Sequence, residues 1–279
     1  MCGMLDRWCG SLENNINFVN LNVEKRMVKD NKLLISEIFR SIDGEGFHSG
    51  QPTVFVRTFG CNLRCPWCDT KTTWTIQQHE KVYGRQPVWM TVEEIFNRVE
   101  ELEKGFPFKS ICLTGGEPLM EENKEFMFKL IKTFCENRYA VNVETNGAVD
   151  YSDYIELRQP GSVFEVKHLD EYGNRIGLSL ITDWKLPASK MTGKMVESNL
   201  SILTEDDLIK CVITDDPEDW KEFERICKSG TKAKLYLSPC FGEVTMNRIP
   251  KFVVSHPEYN ITAQIQIHKI FWDPNKVGV

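Results

Sequence analysis

Cys61, Cys65 and Cys68 place three thiols, separated by three and then two residues, in the segment Cys61-Asn-Leu-Arg-Cys65-Pro-Trp-Cys68. Such a triplet can hold three corners of a 4Fe-4S cube, since Cys thiolates are the usual protein ligands of iron-sulfur clusters. The fourth iron would then lack a protein ligand, and an open iron is where chemistry happens. A cluster closed by four thiolates would suit electron transfer alone. Two plainer readings stand beside this one. A zinc site would need a fourth ligand, for which His79 is the nearby candidate, and three core thiols could simply pack as small hydrophobes. Cys2, Cys9, Cys112, Cys135, Cys211, Cys227 and Cys240 are scattered, and we read them as reduced packing thiols rather than a disulfide framework.

Further polar groups stand where apolar runs finish. Thr114-Gly-Gly-Glu117-Pro118 closes one run: two glycines allow a ligand to approach the backbone, and Glu117 offers a carboxylate to an ammonium group. Glu144-Thr-Asn-Gly147 ends another, and either lines the same cavity or turns the chain. Asp43, Gly44 and Glu45 fall in a turn just before the cysteines, and Arg57 lies in the run leading into them.

The elements that must position these groups alternate. Strand-like runs at 33–39, 53–59, 110–114, 140–144, 178–183, 208–213, 234–237 and 261–267 are separated by helical patterns. Thr91 and Glu94 form a capping box for a helix to about residue 104, and Phe126, Leu130 and Phe134 repeat at helical spacing. Asp216-Pro217 opens a helix ending near Gly230. Strands alternating with helices imply parallel pairing, so the expected fold is α/β, a partial (open) β/α barrel with its chemistry at the strand ends. Residues 1–31 read as an extension, poorly ordered unless it docks, and residues 32–279 as one core domain.

Composition excludes several classes. At 41% hydrophobic and 27% charged, the chain is of ordinary globular type. A net charge of −6 argues against a broad nucleic-acid surface. No apolar run approaches the roughly 20 residues of a membrane-spanning helix, and the first residues lack the layout of a signal peptide. The cytoplasm is therefore the expected location.

Through Cys61, Cys65, Cys68 and Gly115-Gly116-Glu117-Pro118, the sequence resembles the radical S-adenosylmethionine superfamily. That resemblance implies a 4Fe-4S cluster whose open iron chelates S-adenosylmethionine and cleaves it to a 5′-deoxyadenosyl radical. Around the cysteines, residues 37–48, Phe55-Val-Arg57, Gly60-Cys-Asn-Leu-Arg-Cys, Cys68-Asp-Thr70 and the distant Gln264-Ile-Gln-Ile-His268-Lys269 resemble the 7-carboxy-7-deazaguanine synthase family. This implies a radical ring contraction of 6-carboxy-5,6,7,8-tetrahydropterin with loss of ammonia, serving queuosine or related deazapurine synthesis.

By the same resemblance, Asp43, Gly44, Glu45, Arg57, Thr114, His268 and Pro274 would contact the pterin, Arg57 through its carboxylate. Thr70 would be a magnesium ligand. Gly116 and Glu117 would meet S-adenosylmethionine, as would Asp183, Trp184 and Lys185, of which only Lys185 matches the relatives chemically; Ser238, Pro239, Cys240 and Phe241 would support the adenosyl group. In some relatives the chain stops at the proline corresponding to Pro274, whereas here it continues to Val279. The resemblance also implies a homodimer and a one-electron reductant such as flavodoxin. The rival readings are an activase that makes a glycyl radical on another protein, an electron carrier, and a zinc-binding interaction module.

Overall fold

The computed structural model describes residues 28–168, 175–184 and onward to 273, together with 276–278. Most of the expected extension, residues 169–174 and Pro274 lie outside the described residues. Among the described residues there are eleven strands, nine on one path and two as side pairings: β1 (Val28–Lys29), β2 (Lys32–Ile42), β3 (Pro52–Thr58), β4 (Val88–Met90), β5 (Ser110–Gly115), β6 (Ala140–Thr145), β7 (Lys167–His168), β8 (Arg175–Trp184), β9 (Leu208–Ile213), β10 (Lys234–Pro239) and β11 (Ile261–Ala263). The order is β1-β2-β3-β5-β6-β8-β9-β10-β11, with β4 added to β2 and β7 to β8. From β3 to β11 every neighbouring pair on the path is parallel, while β2 and β3 are antiparallel. The sheet already begins at Val28, inside the segment that the sequence assigns to the extension.

Period-two alternation splits each central strand between two surroundings. Val54, Val56, Ile111, Leu113, Val141, Val143, Ile209, Cys211 and Ile213 point into the apolar layer shared with the helices. Phe55, Arg57, Thr114, Glu144, Ile181, Asp183, Lys210 and Val212 point the other way, into a cavity. The helices close the first layer. Thr91 and Glu94 make the anticipated reciprocal cap, at 3.1 and 2.8 Å, for the helix Val92–Glu103. Phe126, Met127, Leu130, Ile131 and Phe134 bury one face of Lys124–Glu136. Asp216 accepts from the Glu218 N–H at 2.9 Å and Pro217 takes the first turn of Pro217–Cys227.

One expected strand is shorter than its apolar pattern. The sequence predicts extension over 261–267, but β11 ends at Ala263. Beyond it, the Gln264 side chain both accepts from Gly46 N at 3.0 Å and donates to Gly46 O at 3.3 Å, and Ile267 N donates to Gly44 O at 3.1 Å. These bonds draw the chain away from the sheet edge and across the gap between β11 and the β2–β3 turn. Among the described residues the barrel is thus open in its strand ladder and bridged there by the Gln264 side chain and one backbone bond.

Candidate active site

A cavity of about 660 Å³ occupies the carboxyl ends of the parallel strands, where a β/α barrel places its chemistry. It lies within the range usual for small-molecule sites. Cys61, Cys65 and Cys68 line it, as do Asp43, Gly44, Glu45, Arg57, Thr70, Thr114, Gly116, Asp183, Lys185, Cys240, Phe241 and His268. Residues dispersed over more than two hundred positions therefore share one space.

The cysteine loop is held by its backbone. Gly116 N donates to Thr58 O at 3.1 Å and Glu117 N to Gly60 O at 2.8 Å, so the turn after β5 lies flat against the residues just before Cys61. A β-carbon on Gly116 would overlap Gly60 O, and Gly115 adopts a φ of +131°; the paired glycines are what this contact requires. Glu117 itself does not line the cavity. It is fully buried, accepting from Thr145 Oγ1 at 2.7 Å, Leu119 N at 2.9 Å and Asn146 N at 2.7 Å. The carboxylate expected to meet an ammonium group is engaged in tying the β5 loop to the end of β6. Burial pushes its pKa up to about 7 despite those bonds.

The donor set suits a cluster better than a single ion. All three thiols are free, and burial raises the Cys61 thiol to about 11, so that anionic sulfur there needs a cationic partner. Leu63 N donates to Cys61 Sγ at 3.4 Å, and Asn146 Nδ2 approaches the same sulfur at 3.8 Å. Among the described residues no three His, Cys, Asp or Glu side chains converge on one point. His79, the fourth ligand that the zinc reading needs, is buried against Ser36 and Arg85, with its Nδ1 2.8 Å from Arg85 O. Cys112, Cys135, Cys211 and Cys240 are buried and Cys227 half-buried, all as free thiols; Cys2 and Cys9 lie outside the described residues.

Across the same space runs a chain of alternating charge. Lys185 meets Asp183 at 2.8 Å, Asp183 lies 3.7 Å from Lys210, and Lys210 closes on Glu45. Burial opposes the charge on Lys210, but Glu45 and then Asp183 outweigh it and lift its pKa well above normal. For Asp183, burial raises the pKa, yet Lys185 and Lys210 together bring it below the ordinary value. Asp43 has no such cation in contact: burial, then Glu144, raises it strongly. Glu45 Oε2 and Asp183 Oδ1 are buried without hydrogen-bond partners, two acceptors ready for a ligand's N–H groups. Thr114 Oγ1 donates to Glu144 Oε2 at 2.7 Å, which brings Glu144 into the wall.

Arg57 lies beside this chain, with its Nε donating to Glu37 Oε1 at 2.8 Å. His268 packs on the β2–β3 turn so closely that a β-carbon at Gly44 would strike its ring. Thr70 Oγ1 donates to Gly115 O at 3.3 Å and lies 3.5 Å from Cys68 Sγ. Trp184 and Ser238 are fully buried and do not line the cavity, and neither does Pro239. Glu37, Asp69 and Lys269 stand in the resembling motifs without an assigned role, and sequence reasoning missed Tyr83 and Lys210; all five line it. Lys210 carried a signal: it is a lone cation inside Leu208-Ile-Lys-Cys-Val-Ile213, and Lys is almost never buried unless paired.

The Radical SAM superfamily matches residues 55–184, from β3 to the end of β8. A 7-carboxy-7-deazaguanine synthase from Clostridium acetobutylicum is 34% identical over 88% of this chain and 98% of its own length. A second, from Thermoplasma acidophilum, is 31% identical over 86% of this chain and 97% of its own. The crystal structure of QueE from Escherichia coli matches with a TM-score of 0.55 at 18% identity, covering 88% of this chain and 97% of that one, a likeness of fold. A full-length match at such identity, joined to three cysteines facing a barrel-end cavity, makes this chain a member of the 7-carboxy-7-deazaguanine synthase family of radical S-adenosylmethionine enzymes.

Proposed function

We propose that the protein contracts the ring of 6-carboxy-5,6,7,8-tetrahydropterin to 7-carboxy-7-deazaguanine with release of ammonia. The observation that carries this reading is a single cavity walled by the three thiols and by Arg57, Glu45 and Lys210. When bound, the cluster and S-adenosylmethionine supply one electron and the carbon radical that takes a hydrogen from the substrate.

The chain's own residues bind, orient and exclude water. Glu45 Oε2, on a carboxylate paired with Lys210, accepts from the amino-pyrimidine edge, and Asp43 lies beside it. Arg57 gives the substrate carboxylate a charge-assisted partner. Asp183 and Lys185 face S-adenosylmethionine near Cys65, and Gly116 exposes backbone to it. His268, lodged on Gly44, flanks the pterin. The Thr70 hydroxyl would supply one oxygen to a magnesium ion, which would add positive charge to stabilise the substrate's carboxylate. Orientation matters most because a radical formed in a loose site attacks the wrong atom.

The protein works in the cytoplasm as a homodimer, supplied with electrons by a flavodoxin-type reductant. Among the described residues no helix is long and apolar enough to cross a membrane. The activase reading finds no use for Asp43, Glu45 and Arg57 in a charged cavity. The test is anaerobic reconstitution with reductant, S-adenosylmethionine and the carboxylated pterin. Deazapurine and ammonia should appear in equal amounts; cleavage of S-adenosylmethionine with no deazapurine would overturn the proposal.

A further inference from the structure

The register of β2 against β3 shifts between Ile35 and Glu37, so Ser36 is an extra residue with no partner in the ladder. A β-bulge of this kind re-aims the side chain that follows it. Here that side chain is Glu37, which is opposite Arg57 and lines the cavity. The bulge is clamped from outside by the helix Ile76–Tyr83, which is capped by Thr75 and ends at Gly84 in a left-handed conformation. His79 and Tyr83, four residues apart, lie on one face of that helix with rings stacked at 4.5 Å. His79 Nε2 sits 3.1 Å from Ser36 Oγ and 3.2 Å from Ser36 O, and Arg85 donates to Ser36 O at 2.9 Å. Tyr83 then donates its hydroxyl to Glu37 Oε1 at 2.8 Å, the same oxygen that accepts from Arg57 Nε at 2.8 Å.

One helix face therefore fixes a bulge and a carboxylate, and the carboxylate fixes a guanidinium. We propose that Glu37 and Tyr83 are positioning residues that set the guanidinium of Arg57 for the carboxylate of the substrate, making the helix Ile76–Tyr83 a determinant of selectivity for acids. This rests on the reading of Arg57 as the carboxylate partner. Using Nε for Glu37 directs one edge of the planar fork at the protein and leaves the terminal nitrogens for an acid. Tyr83 keeps its proton throughout the working range, because burial, then the Glu37 charge, lifts its pKa to about 12. It is consequently a permanent donor, and it stops the Glu37 carboxylate from rotating away. The Phe39 ring, 5.6 Å from the guanidinium carbon, backs the arrangement.

The experiment measures binding and turnover of the carboxylated tetrahydropterin, and binding of the same tetrahydropterin lacking the acid, with reconstituted full-length enzyme. Tyr83→Phe keeps the stack on His79 and removes one hydrogen bond. It should weaken the acid about 10-fold, the lower end of what one bond to a charged group contributes, and leave the acid-free analogue unchanged. Glu37→Gln should retain acceptance from Nε and lie between Tyr83→Phe and Glu37→Ala. Most of each loss should fall in KM rather than kcat, with S-adenosylmethionine binding and the cluster spectrum unaltered. Arg57→Gln supplies the reference and should erase the preference for the acid. Should Arg57→Gln erase it while Tyr83→Phe and Glu37→Gln weaken acid and analogue alike, the two residues are merely structural and the inference fails. Should Arg57→Gln leave the preference intact, the reading of Arg57 itself is wrong.

Discussion

The cysteine loop and the charged inner wall face the same cavity but are specified in opposite ways. The loop's three thiols fall within eight consecutive residues, Cys61 to Cys68, and its support is backbone: Gly116 and Glu117 bonded to Thr58 and Gly60. The wall takes residues from successive strands, Arg57, Thr114, Glu144, Asp183 and Lys210, and its support is side-chain charge. A metal centre needs a fixed local geometry, which a short loop can provide. Recognition of a flat heterocycle needs groups arriving from several directions, which a barrel interior provides at the cost of desolvating each.

The sharpest way to separate the two regions is to remove a thiol. Cys61→Ala, Cys65→Ala or Cys68→Ala should each reduce deazapurine formation to background and abolish the iron-sulfur absorbance of reconstituted protein. Pterin binding should persist, since none of those sulfurs contacts Arg57, Glu45 or Lys210. A cysteine variant that keeps a full cluster spectrum would break the assignment of the loop.

Lys210 offers the converse perturbation. Lys210→Met strands the buried carboxylate of Glu45 and leaves Asp183 with Lys185 alone, and breaking a buried pair by removing one partner costs about 3–5 kcal/mol. Chemical denaturation should register that loss, and adding Glu45→Gln should recover part of it. Equal stability of Lys210→Met and the parent protein would mean that the charge chain is not holding the wall together.

These regions differed just as much in how far the sequence disclosed them. Local signals were sufficient for the loop, for the Thr91 and Asp216 helix starts, and for the strands whose apolar runs are buried by helices. Lys210 and Glu37 were passed over because each lies inside a strand and acquires meaning only when a distant partner, Glu45 or Arg57, is brought opposite it. The helix Ile76–Tyr83 was missed for a related reason: His79 is the one residue of its eight that is buried, so its apolar stripe is weak. The 261–267 run was overextended because the pull of Gln264 towards Gly46 is a tertiary effect with no period.

Acidity should also set the regions apart. Glu117, on the loop side, has a folded pKa raised to about 7 from an ordinary 4.5. Its contribution to stability is complete below pH 4.5 and declines as pH climbs to 7, since the unfolded chain releases a proton that the folded one retains. That decline amounts to roughly 3 kcal/mol. Asp183, on the wall side, has a lowered pKa, so its contribution is present above its ordinary value of 3.8 and disappears as pH falls through the folded value. Denaturation of Glu117→Gln between pH 4.5 and 7 should show a flatter pH dependence than the parent. An unchanged slope would mean that Glu117 titrates normally in the fold.

The seam provides the gentlest test. Gln264 joins the last strand's exit to Gly46 through two hydrogen bonds, while Ile267 N holds Gly44 O, and these contacts fix the turn bearing Asp43 and Glu45. Gln264→Ala should cost about 1–2 kcal/mol, the net worth of two hydrogen bonds that leave Gly46 N unpaired. Because the sheet ladder ends before the seam, strand pairing cannot restore the turn's position, and pterin affinity should fall with it. The cysteine loop is joined to β5 and β6 rather than to this turn, so S-adenosylmethionine affinity should hold. Parallel loss of both ligands would show that the loop and the wall move as one body, and that their independence is confined to the sequence.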